Sequence, residues 1–424
     1  MIKIFECNDK NYLNKLTNFL DKRRNEKNNN KKKVSLILKD IKKNKIKALI
    51  KYEKKFSLNK EINISKNKIN NVIKKLDPKV KNAIDFAYQR ILSFHSKQLK
   101  TIKNITYIDK YKNKLEYKNV PLQSVGIYVP GNLPSTLLMN SIPAKLAKVK
   151  RIVLATPKIN GKLNPATLYA AKKIGIKEIY SMGGVQAIAS LAYIQKVNKI
   201  IGPGNKYVAE AKRQLSGIIV GTESMFAGPS EICVLADKES DINQVATSLI
   251  SQAEHDFESQ SILVTKDYKI INKVKNKVSK ILKDLPRKKI AYKSLKKNGL
   301  IIKAKNDKQI INIINTISSE HLELLVKNYK KYSNKIVNAG SICNGKYSSM
   351  CLSDFTVGTN HVLPTSGSAK FSSGLNINEF IKKISIVTLS KLGVEKIANP
   401  AITLSEFEQL NGHTQSIKSR LRRN

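Results

Sequence analysis

The stretch VGIYVPGNLPS, residues 125–135, sets the pattern of the central part of the chain. A short apolar segment ends in a glycine-containing turn, and the helical pattern TLLMNSIPAKLAKV follows. The alternation continues, and its next strand-and-turn segments are RIVLATP (151–157), KEIYSMGG (177–184) and NKIIGPGN (198–205). Short apolar strands that alternate with helices of about ten residues are typical of βα units and a parallel sheet.

A second alternation of strands and helices begins at SEICVLAD, residues 230–237. It continues through SILVT, a basic helix over 268–284 and LIIKAK, and it ends with a strand over 335–343. We therefore predict an α/β fold with two incomplete Rossmann-like parallel-sheet domains and small helical segments at both ends.

The predicted boundaries follow these changes of pattern. They are an N-terminal helical segment over 1–30, a first α/β domain from 31–124 plus 232–367, a second α/β domain over 125–231, and a C-terminal helical tail over 368–424. Apolar residues at helical spacing predict that 34–120 is mostly helical, with a helix start at Pro78.

The charge of the chain is high, since 78 lysines and arginines against 31 acidic residues give a net charge of +47. The lysines are scattered along the chain as singles and pairs, and they accompany abundant Asn and Ile. A nucleic-acid-binding stripe would favour clustered arginines and interleaved aromatic residues, and the chain has no Trp. We expect the charge to reflect an AT-rich genome and predict no nucleic-acid partner, with a polyanion role as the alternative.

Two further features concern the compartment. The sequence has no run of about 18 apolar residues, so we predict no transmembrane helix and no membrane partner. The four cysteines, Cys7, Cys233, Cys343 and Cys351, form no CxxC motif. We therefore expect free thiols and a reducing cytoplasm.

Three turns of the first alternation are rich in glycine: Pro130-Gly131-Asn132, Gly183-Gly184 and Gly202-Pro203-Gly204-Asn205. Such turns allow backbone N–H groups to approach a phosphate, and turns at the carboxyl ends of neighbouring strands would line one crevice. None has the GxGxxG pattern, and ordinary βα turn chemistry is the alternative for each. Together they favour a nucleotide or phosphate ligand.

The histidines are few, and we considered each for chemistry: His95, His255, His321, His361 and His413. Gln252 and His255 lie at i and i+3 of a predicted helix, so they would share a face. Glu320 and His321 are adjacent, so on a helix they would point in different directions. The spacing is a weak metal signal, and a structural role remains the alternative for each histidine. The residues alone indicate an α/β enzyme and leave its ligands open.

Longer strings of sequence are more specific. In chain order they are GIYVPGN, GGVQAIASLA, IIGPGNKYVAEAKRQL, AGPSE, SQAEH, SEHLEL, GTNHVLPT and GHTQSIKSRLR. These strings resemble the bacterial histidinol dehydrogenase family from about residue 120 to the C-terminus, and the first 120 residues fit more loosely. The resemblance implies oxidation of L-histidinol to L-histidine via L-histidinal, the last step of histidine biosynthesis. It also implies two NAD⁺ used in succession, one zinc ion per subunit and an intertwined homodimer.

The resemblance also assigns roles to individual residues. The implied zinc ligands are Gln252, His255, Asp354 and His413, the last from the partner subunit. The implied acid/base pair is Glu320 and His321. Substrate contacts would include Ser230, His361 and Glu408 in addition to the zinc ligands and the acid/base pair. The implied NAD contacts are Tyr128, Gln186 and Asn205. Mn²⁺ or Co²⁺ would also suit this ligand set.

The chain departs from the family pattern at three places. The first glycine-rich turn is shorter, the segment before Lys199 is several residues short, and Glu223-Ser224-Met225 stands where the family has an Asp directly before a Met. We expect these changes to affect cofactor affinity more than the chemistry, because the zinc and acid/base positions are filled. An inactive relative retained as a scaffold is the remaining alternative.

Overall fold

The structure is a computed structural model, and it describes residues 2–24, 30–225 and 228–421. Ala227 of the AGPSE string, Arg422 of the last string and part of the predicted N-terminal segment lie outside the described residues.

The strands and helices are numbered here along the chain. The strands are β1 (Lys3–Glu6), β2 (Ile105–Ile108), β3 (Lys114–Pro121), β4 (Ser124–Tyr128), β5 (Arg151–Ala155), β6 (Glu178–Tyr180), β7 (Lys199–Ile201), β8 (Gly221–Thr222), β9 (Glu231–Leu235), β10 (Gln260–Thr265), β11 (Leu300–Lys303), β12 (His321–Leu324), β13 (Ser341–Asn344) and β14 (Ile381–Thr388). The α-helices are α1 (Tyr12–Arg24), α2 (Lys31–Ser57), α3 (Lys66–Ile73), α4 (Pro78–Gln98), α5 (Pro134–Leu146), α6 (Pro165–Ile174), α7 (Gly184–Tyr193), α8 (Lys206–Leu215), α9 (Ile242–Ala253), α10 (Tyr268–Leu282), α11 (Lys288–Asn298), α12 (Asp307–Ile317), α13 (Lys330–Ser333), α14 (Met350–Phe355), α15 (Lys391–Phe407) and α16 (Asn411–Ser419).

A six-stranded parallel sheet has the strand order β1-β11-β10-β9-β12-β13. Its central strand β9 is buried on both faces. Ile232 and Val234 pack with α9 and α10 on one face, whereas Cys233 and Leu235 pack with α1 and α12 on the other. This division follows from the two-residue period of a strand, and it explains why a parallel strand covered by helices is continuously apolar.

A five-stranded parallel sheet has the order β6-β5-β4-β7-β8. Helices α5 and α6 cover one face together with α3 and α4, and α7 and α8 cover the other face together with α2. The predicted α/β fold with two parallel sheets is therefore confirmed, and α4 begins at Pro78 as predicted.

The packing divides the chain differently from the predicted boundaries. The prediction grouped 31–124 with the later sheet, but α2, α3 and α4 bury their apolar faces against helices of the five-stranded sheet. The prediction also made 1–30 a separate helical segment, but β1 pairs with β11 at the edge of the six-stranded sheet, and α1 packs beside α12. Helical periodicity shows that a buried face exists and does not show which partner covers it.

The sequence did not lead us to predict a third sheet. Strands β14, β3 and β2 form an antiparallel sheet that joins a region predicted as mostly helix to a region predicted as a helical tail. Most of the side chains of β2 and β14 are exposed, so these strands lack the apolar runs that identified the others. Strand β12 was also read as helix, the predicted strand at 335–343 is confined to β13, and helix α11 was not predicted.

Over the described ranges, the structure has no helix that is both long enough and apolar enough to span a bilayer.

The turn after β7 gives a test of the packing at the sheet edge. Gly202 has φ +119°, and an added Cβ would lie 2.0 Å from the carbonyl oxygen of Tyr128. We predict that Gly202→Ala lowers the free energy of unfolding by at least about 3 kcal/mol, because backbone strain and overlap add. The matched control is Gly161→Ala, since Gly161 also has positive φ (+74°) but has no atom within 4 Å of an added Cβ. Gly161→Ala should lower the free energy of unfolding, measured by urea denaturation, by about 1 kcal/mol. Equal losses in the two variants would contradict the close packing of Gly202 against Tyr128.

Candidate active site

The site begins where β9 and β12 lie side by side. These parallel strands pair Ile232 with His321, so Ser230 and Glu231 lie next to Glu320 and His321. The backbone N–H of Glu231 donates to Glu320 Oε2 at 2.9 Å. These residues open their strands, so the site lies at the amino edge of the six-stranded sheet and not at the carboxyl edge, where ligands of α/β sheets usually bind.

Asp354 and His361 lie beside this pair. His321 Nε2 is 3.7 Å from Asp354 Oδ1 and 3.9 Å from Glu320 Oε1. The prediction that Glu320 and His321 diverge on a helix was wrong, since they stand at the start of a strand and their side chains meet. His361 Nδ1 lies 2.7 Å from the backbone carbonyl oxygen of Asp354. A carbonyl only accepts, so Nδ1 carries the proton and Nε2 is the acceptor of the neutral ring.

The amino edge of this sheet meets the five-stranded sheet at His361. The hydroxyl of Thr136 lies 3.2 Å from His361 Nε2 and donates to it. Thr136 is in the first turn of α5, which follows β4, so it stands at the carboxyl edge of the five-stranded sheet. The candidate site therefore lies where the carboxyl edge of one sheet faces the amino edge of the other.

Gln252 and His255 come from the end of α9. The helix stops at Ala253, so His255 lies just beyond it and not on a shared helical face as predicted. The backbone N–H of His255 donates to the carbonyl oxygen of Gln252 at 3.3 Å, which keeps both residues in one turn. Gln252 is buried, whereas His255 keeps an exposed surface.

Of the nine buried side-chain atoms that lack a hydrogen-bond partner in the described residues, three belong to predicted site residues. Among the described residues, Gln252 Oε1, Asp354 Oδ1 and His321 Nδ1 are buried side-chain atoms with no hydrogen-bond partner. An unpaired buried polar atom costs about 1–3 kcal/mol, and native proteins retain few of them. Unsatisfied atoms on three predicted site residues indicate that these side chains receive atoms from a ligand.

Burial dominates the electrostatics of the site. Loss of solvent raises the pKa of Glu320 well above its usual range and raises the pKa of Asp354 to about 7. The same loss of solvent lowers the pKa of His321 to about 3 and that of His361 to about 4, and the neighbouring imidazole of His255 lowers both further. His321 and His361 are therefore neutral at physiological pH, and a neutral imidazole can accept a proton.

The predicted NAD contacts lie at two of the glycine-rich turns. The Tyr128 hydroxyl accepts from the Gly184 N–H at 3.2 Å, and Gln186 is buried in the first turn of α7. Asn205 caps α8 and accepts from the N–H groups of Tyr207 and Val208. At the Gly183-Gly184 turn, the Gly183 N–H donates to Glu53 Oε1 at 2.9 Å. Both glycine N–H groups thus have protein partners, which disfavours the phosphate role expected for this turn.

Ion pairs hold the segment around residue 223, where the sequence departs from the family pattern. Glu223 pairs with Lys212, and both side chains are buried. Lys212 Nζ also donates to the Gly202 carbonyl oxygen at 2.7 Å. The ion pair therefore connects the segment around residue 223 to a predicted cofactor turn. The next residue, Ser224, donates to Glu379, which also pairs with Lys199.

The structure does not bring the two predicted site residues near the C-terminus into contact with the candidate site. Glu408 and His413 are exposed, at the end of α15 and in α16, and no described contact joins either to the site. Within the described ranges, no group of three or more His, Cys, Asp or Glu side chains is arranged to hold a metal ion. One chain therefore does not bring all four predicted zinc ligands together.

Several supporting residues had no recognised signal in the sequence. Arg23 of α1 forms a buried ion pair with Glu231 and donates to the Pro229 carbonyl oxygen at 3.0 Å. Thr136 and Glu53 contact the site from helices that pattern analysis did not connect with it. Glu231, in the AGPSE string, and Thr136, the first residue of TLLMNSIPAKLAKV, lay within quoted segments, but neither was singled out.

Glu323 gives a pH test of the burial at this site. Its Oε2 accepts from the Ser248 hydroxyl at 2.6 Å, its Oε1 accepts from the Met350 N–H at 2.7 Å, and burial raises its pKa. A carboxyl group whose pKa is raised on folding stabilises the fold below its unfolded pKa. That stabilisation is lost as pH rises through the raised pKa.

We therefore predict that the free energy of unfolding falls less steeply from about pH 4 to about pH 8 in Glu323→Gln than in the unmodified chain. Urea unfolding in the presence of a chelator measures this. The exposed Glu239→Gln variant serves as control, and equal slopes for Glu323→Gln and the unmodified chain would refute the prediction.

Comparison with known proteins identifies the family. The family model described as histidinol dehydrogenase matches residues 20–421. The chain is 53% identical over 430 residues to histidinol dehydrogenase of Pelagibacter ubique (strain HTCC1062), with 100% of both chains covered. It is 41% identical over 422 residues to histidinol dehydrogenase of Listeria monocytogenes serovar 1/2a (strain ATCC BAA-679 / EGD-e), with 96% of this chain and 97% of that one covered.

A solved structure agrees with the sequence comparison. The crystal structure of histidinol dehydrogenase from Elizabethkingia anophelis matches with a TM-score of 0.91 and 36% identity, over 99% of this chain and 98% of that one. The similarity thus extends through the first 120 residues, where the motifs were weakest. The chain therefore belongs to the histidinol dehydrogenase family and is an oxidoreductase.

Proposed function

We propose that this chain catalyses the zinc- and NAD-dependent four-electron oxidation of L-histidinol to L-histidine through L-histidinal, the last step of histidine biosynthesis. The observation that carries the proposal is that buried polar atoms of Gln252, Asp354 and His321 lack hydrogen-bond partners, while His321 lies beside the carboxyl groups of Asp354 and Glu320. Membership of the family supports the substrate.

The donor atoms fit a zinc ion. Gln252, His255 and Asp354 would hold it, and the partner subunit's His413 would complete the set. An amide oxygen, a carboxylate and imidazole nitrogens are suitable ligands for zinc, and the side-chain atoms Gln252 Oε1 and Asp354 Oδ1 accept no described hydrogen bond. When bound, zinc supplies a Lewis acid that orients the amino alcohol of the substrate.

The cofactor would lie along the carboxyl edge of the five-stranded sheet. Tyr128 ends β4, Gln186 follows the turn after β6, and Asn205 closes the turn after β7. This edge faces the site through the contact of Thr136 with His361. When bound, NAD⁺ accepts the hydride in each of the two oxidations. The protein holds the substrate carbon against that edge, with Ser230, His361 and the partner subunit's Glu408 as further substrate contacts.

His321 would remove the proton of the substrate alcohol. Its ring is buried and neutral, and the carboxyl groups of Glu320 and Asp354 lie 3.9 and 3.7 Å from Nε2. Those carboxyl groups are placed to stabilise the imidazolium that forms.

Glu320 would activate the water that hydrates the aldehyde. The Glu231 N–H holds Oε2, and Oε1 faces His321. The raised pKa makes this carboxyl a better base than a solvated one, so once ionised it can take a proton from water and leave the hydrate ready for the second oxidation.

The assembly we propose is an intertwined homodimer in the cytoplasm. Apolar side chains are exposed on β2, β14 and the tail, and Phe407 in the tail is 85% exposed. A partner subunit would cover such surfaces and receive the tail that carries Glu408 and His413. All four cysteines are free, which supports a reducing compartment.

The proposal predicts two NADH per L-histidinol in a coupled absorbance assay, with no free aldehyde accumulating. Activity should disappear on incubation with a chelator and return on addition of Zn²⁺, because the proposed zinc ion supplies the Lewis acid that orients the substrate. Full activity in a metal-free preparation, or one NADH with released histidinal, would contradict it.

If Glu320 activates water, its replacement should slow the second oxidation at least as much as the first. Glu320→Gln keeps the shape of the side chain but removes the base, so oxidation of supplied L-histidinal should slow at least as much as oxidation of L-histidinol. Single-turnover measurements from each substrate test this, with Glu239→Gln as the surface control. A variant that loses only the first oxidation would show that Glu320 has a different role.

A further inference from the structure

Glu53 is a buried carboxylate that neither the family resemblance nor the proposed mechanism uses. It lies near the end of α2 and is 1% exposed. Its Oε1 accepts two hydrogen bonds of 2.9 Å, from the backbone N–H of Gly183 and from Nε2 of Gln186. Its Oε2 accepts from Nδ2 of Asn59 at 3.4 Å. Burial raises the pKa of Glu53, and these donated hydrogen bonds oppose that rise by favouring the ionised form. Both oxygens act as acceptors at this turn.

These contacts determine which way the Gln186 carboxamide points. The NH₂ group faces Glu53, so the carbonyl oxygen Oε1 is on the other side. That oxygen lies over the turn, since an added Cβ at Gly184 would be 3.1 Å from Oε1 and 3.7 Å from Nε2. No hydrogen bond to Gln186 Oε1 is found among the described residues, and the neighbouring Gly184 N–H is bound to the Tyr128 hydroxyl.

We propose that Glu53 is a positioning residue for the dinucleotide: it fixes the NH₂ group of Gln186 inward, so that Oε1 is presented as an acceptor to a hydroxyl or amide N–H donor of the cofactor. The inference rests on the proposed function, in which Gln186 contacts NAD. A carboxylate accepts hydrogen bonds and donates none, so it permits one orientation of the carboxamide. An amide at position 53 would permit both.

A merely structural role is the competing explanation, because Glu53 also ties α2 to the turn before α7. The two roles differ in what they change. A structural role weakens the fold and affects both substrates, whereas a positioning role weakens NAD⁺ binding and acts only through Gln186. A double-mutant cycle separates them.

The experiment uses the full-length chain and isothermal titration with NAD⁺. The variants are Glu53→Gln, which keeps size and hydrogen-bonding capacity, Gln186→Ala, and the two combined. Loss of one oriented hydrogen bond should raise the Kd for NAD⁺ about three- to tenfold in Glu53→Gln. The KM for L-histidinol and the kcat at saturating NAD⁺ should change less than about twofold. In the Gln186→Ala background, Glu53→Gln should have no further effect.

The matched control is Glu178→Gln. Glu178 opens β6 in the same sheet, and it makes two hydrogen bonds of 2.7 Å with Arg151 at the amino edge, away from the cofactor turns. This variant should leave NAD⁺ binding unchanged although it breaks a bidentate ion pair of the same sheet.

Three results would overturn the inference: unchanged NAD⁺ binding in Glu53→Gln, the same loss in the Gln186→Ala background, or an equal loss for L-histidinol. Each can occur in an enzyme that still makes NADH from L-histidinol, so each would overturn this inference alone. An unmodified chain that neither binds NAD⁺ nor oxidises L-histidinol would instead overturn the proposed function and this inference with it.

Discussion

The parallel pairing of β9 with β12 is the constraint on which the candidate site depends. It brings Glu231 and Glu320, which are 89 residues apart, to within a hydrogen bond of each other. Because both strands are buried under helices on two faces, their register cannot slip without turning core side chains to the wrong side. Arg23 strengthens the same junction, since it neutralises Glu231 and donates to the Pro229 carbonyl oxygen. The core of the sheet thus fixes the positions of the chemical groups.

The position of the site between two different sheet edges explains its electrostatics. The amino edge of the six-stranded sheet carries Glu320 and His321, and the carboxyl edge of the five-stranded sheet carries the turns near Tyr128. Enclosure between them removes solvent, which lowers the pKa of His321 and raises the pKa of Glu320. A neutral imidazole and a carboxyl of raised pKa suit proton transfer. The same enclosure leaves Gln252 Oε1 and Asp354 Oδ1 without partners, which fits them for a metal ion.

The pattern of apolar residues and prolines predicted those strands and helices that depend on local sequence. The buried strands β4, β5 and β9 were predicted because parallel strands are continuously apolar, and Pro78 marked its helix start. Strand β12 was missed because a four-residue strand carrying His321 and Glu323 has no distinctive period. The partners of α2 and the approach of Thr136 to His361 depend on tertiary packing. The site residues came from the family resemblance, and Glu53 and Arg23 lay outside the quoted motifs.

In the proposed dimer, the exposed C-terminal tail completes the site of the partner subunit. Co-expression of two inactive variants tests this exchange. One chain carries His255→Asn and the other carries His413→Asn. If tails are exchanged, one site of each heterodimer carries both changes and the other carries neither, so heterodimers should recover about half of normal activity. If each tail docks on its own chain, every site retains one change and the co-expressed pair remains inactive, which would contradict the account.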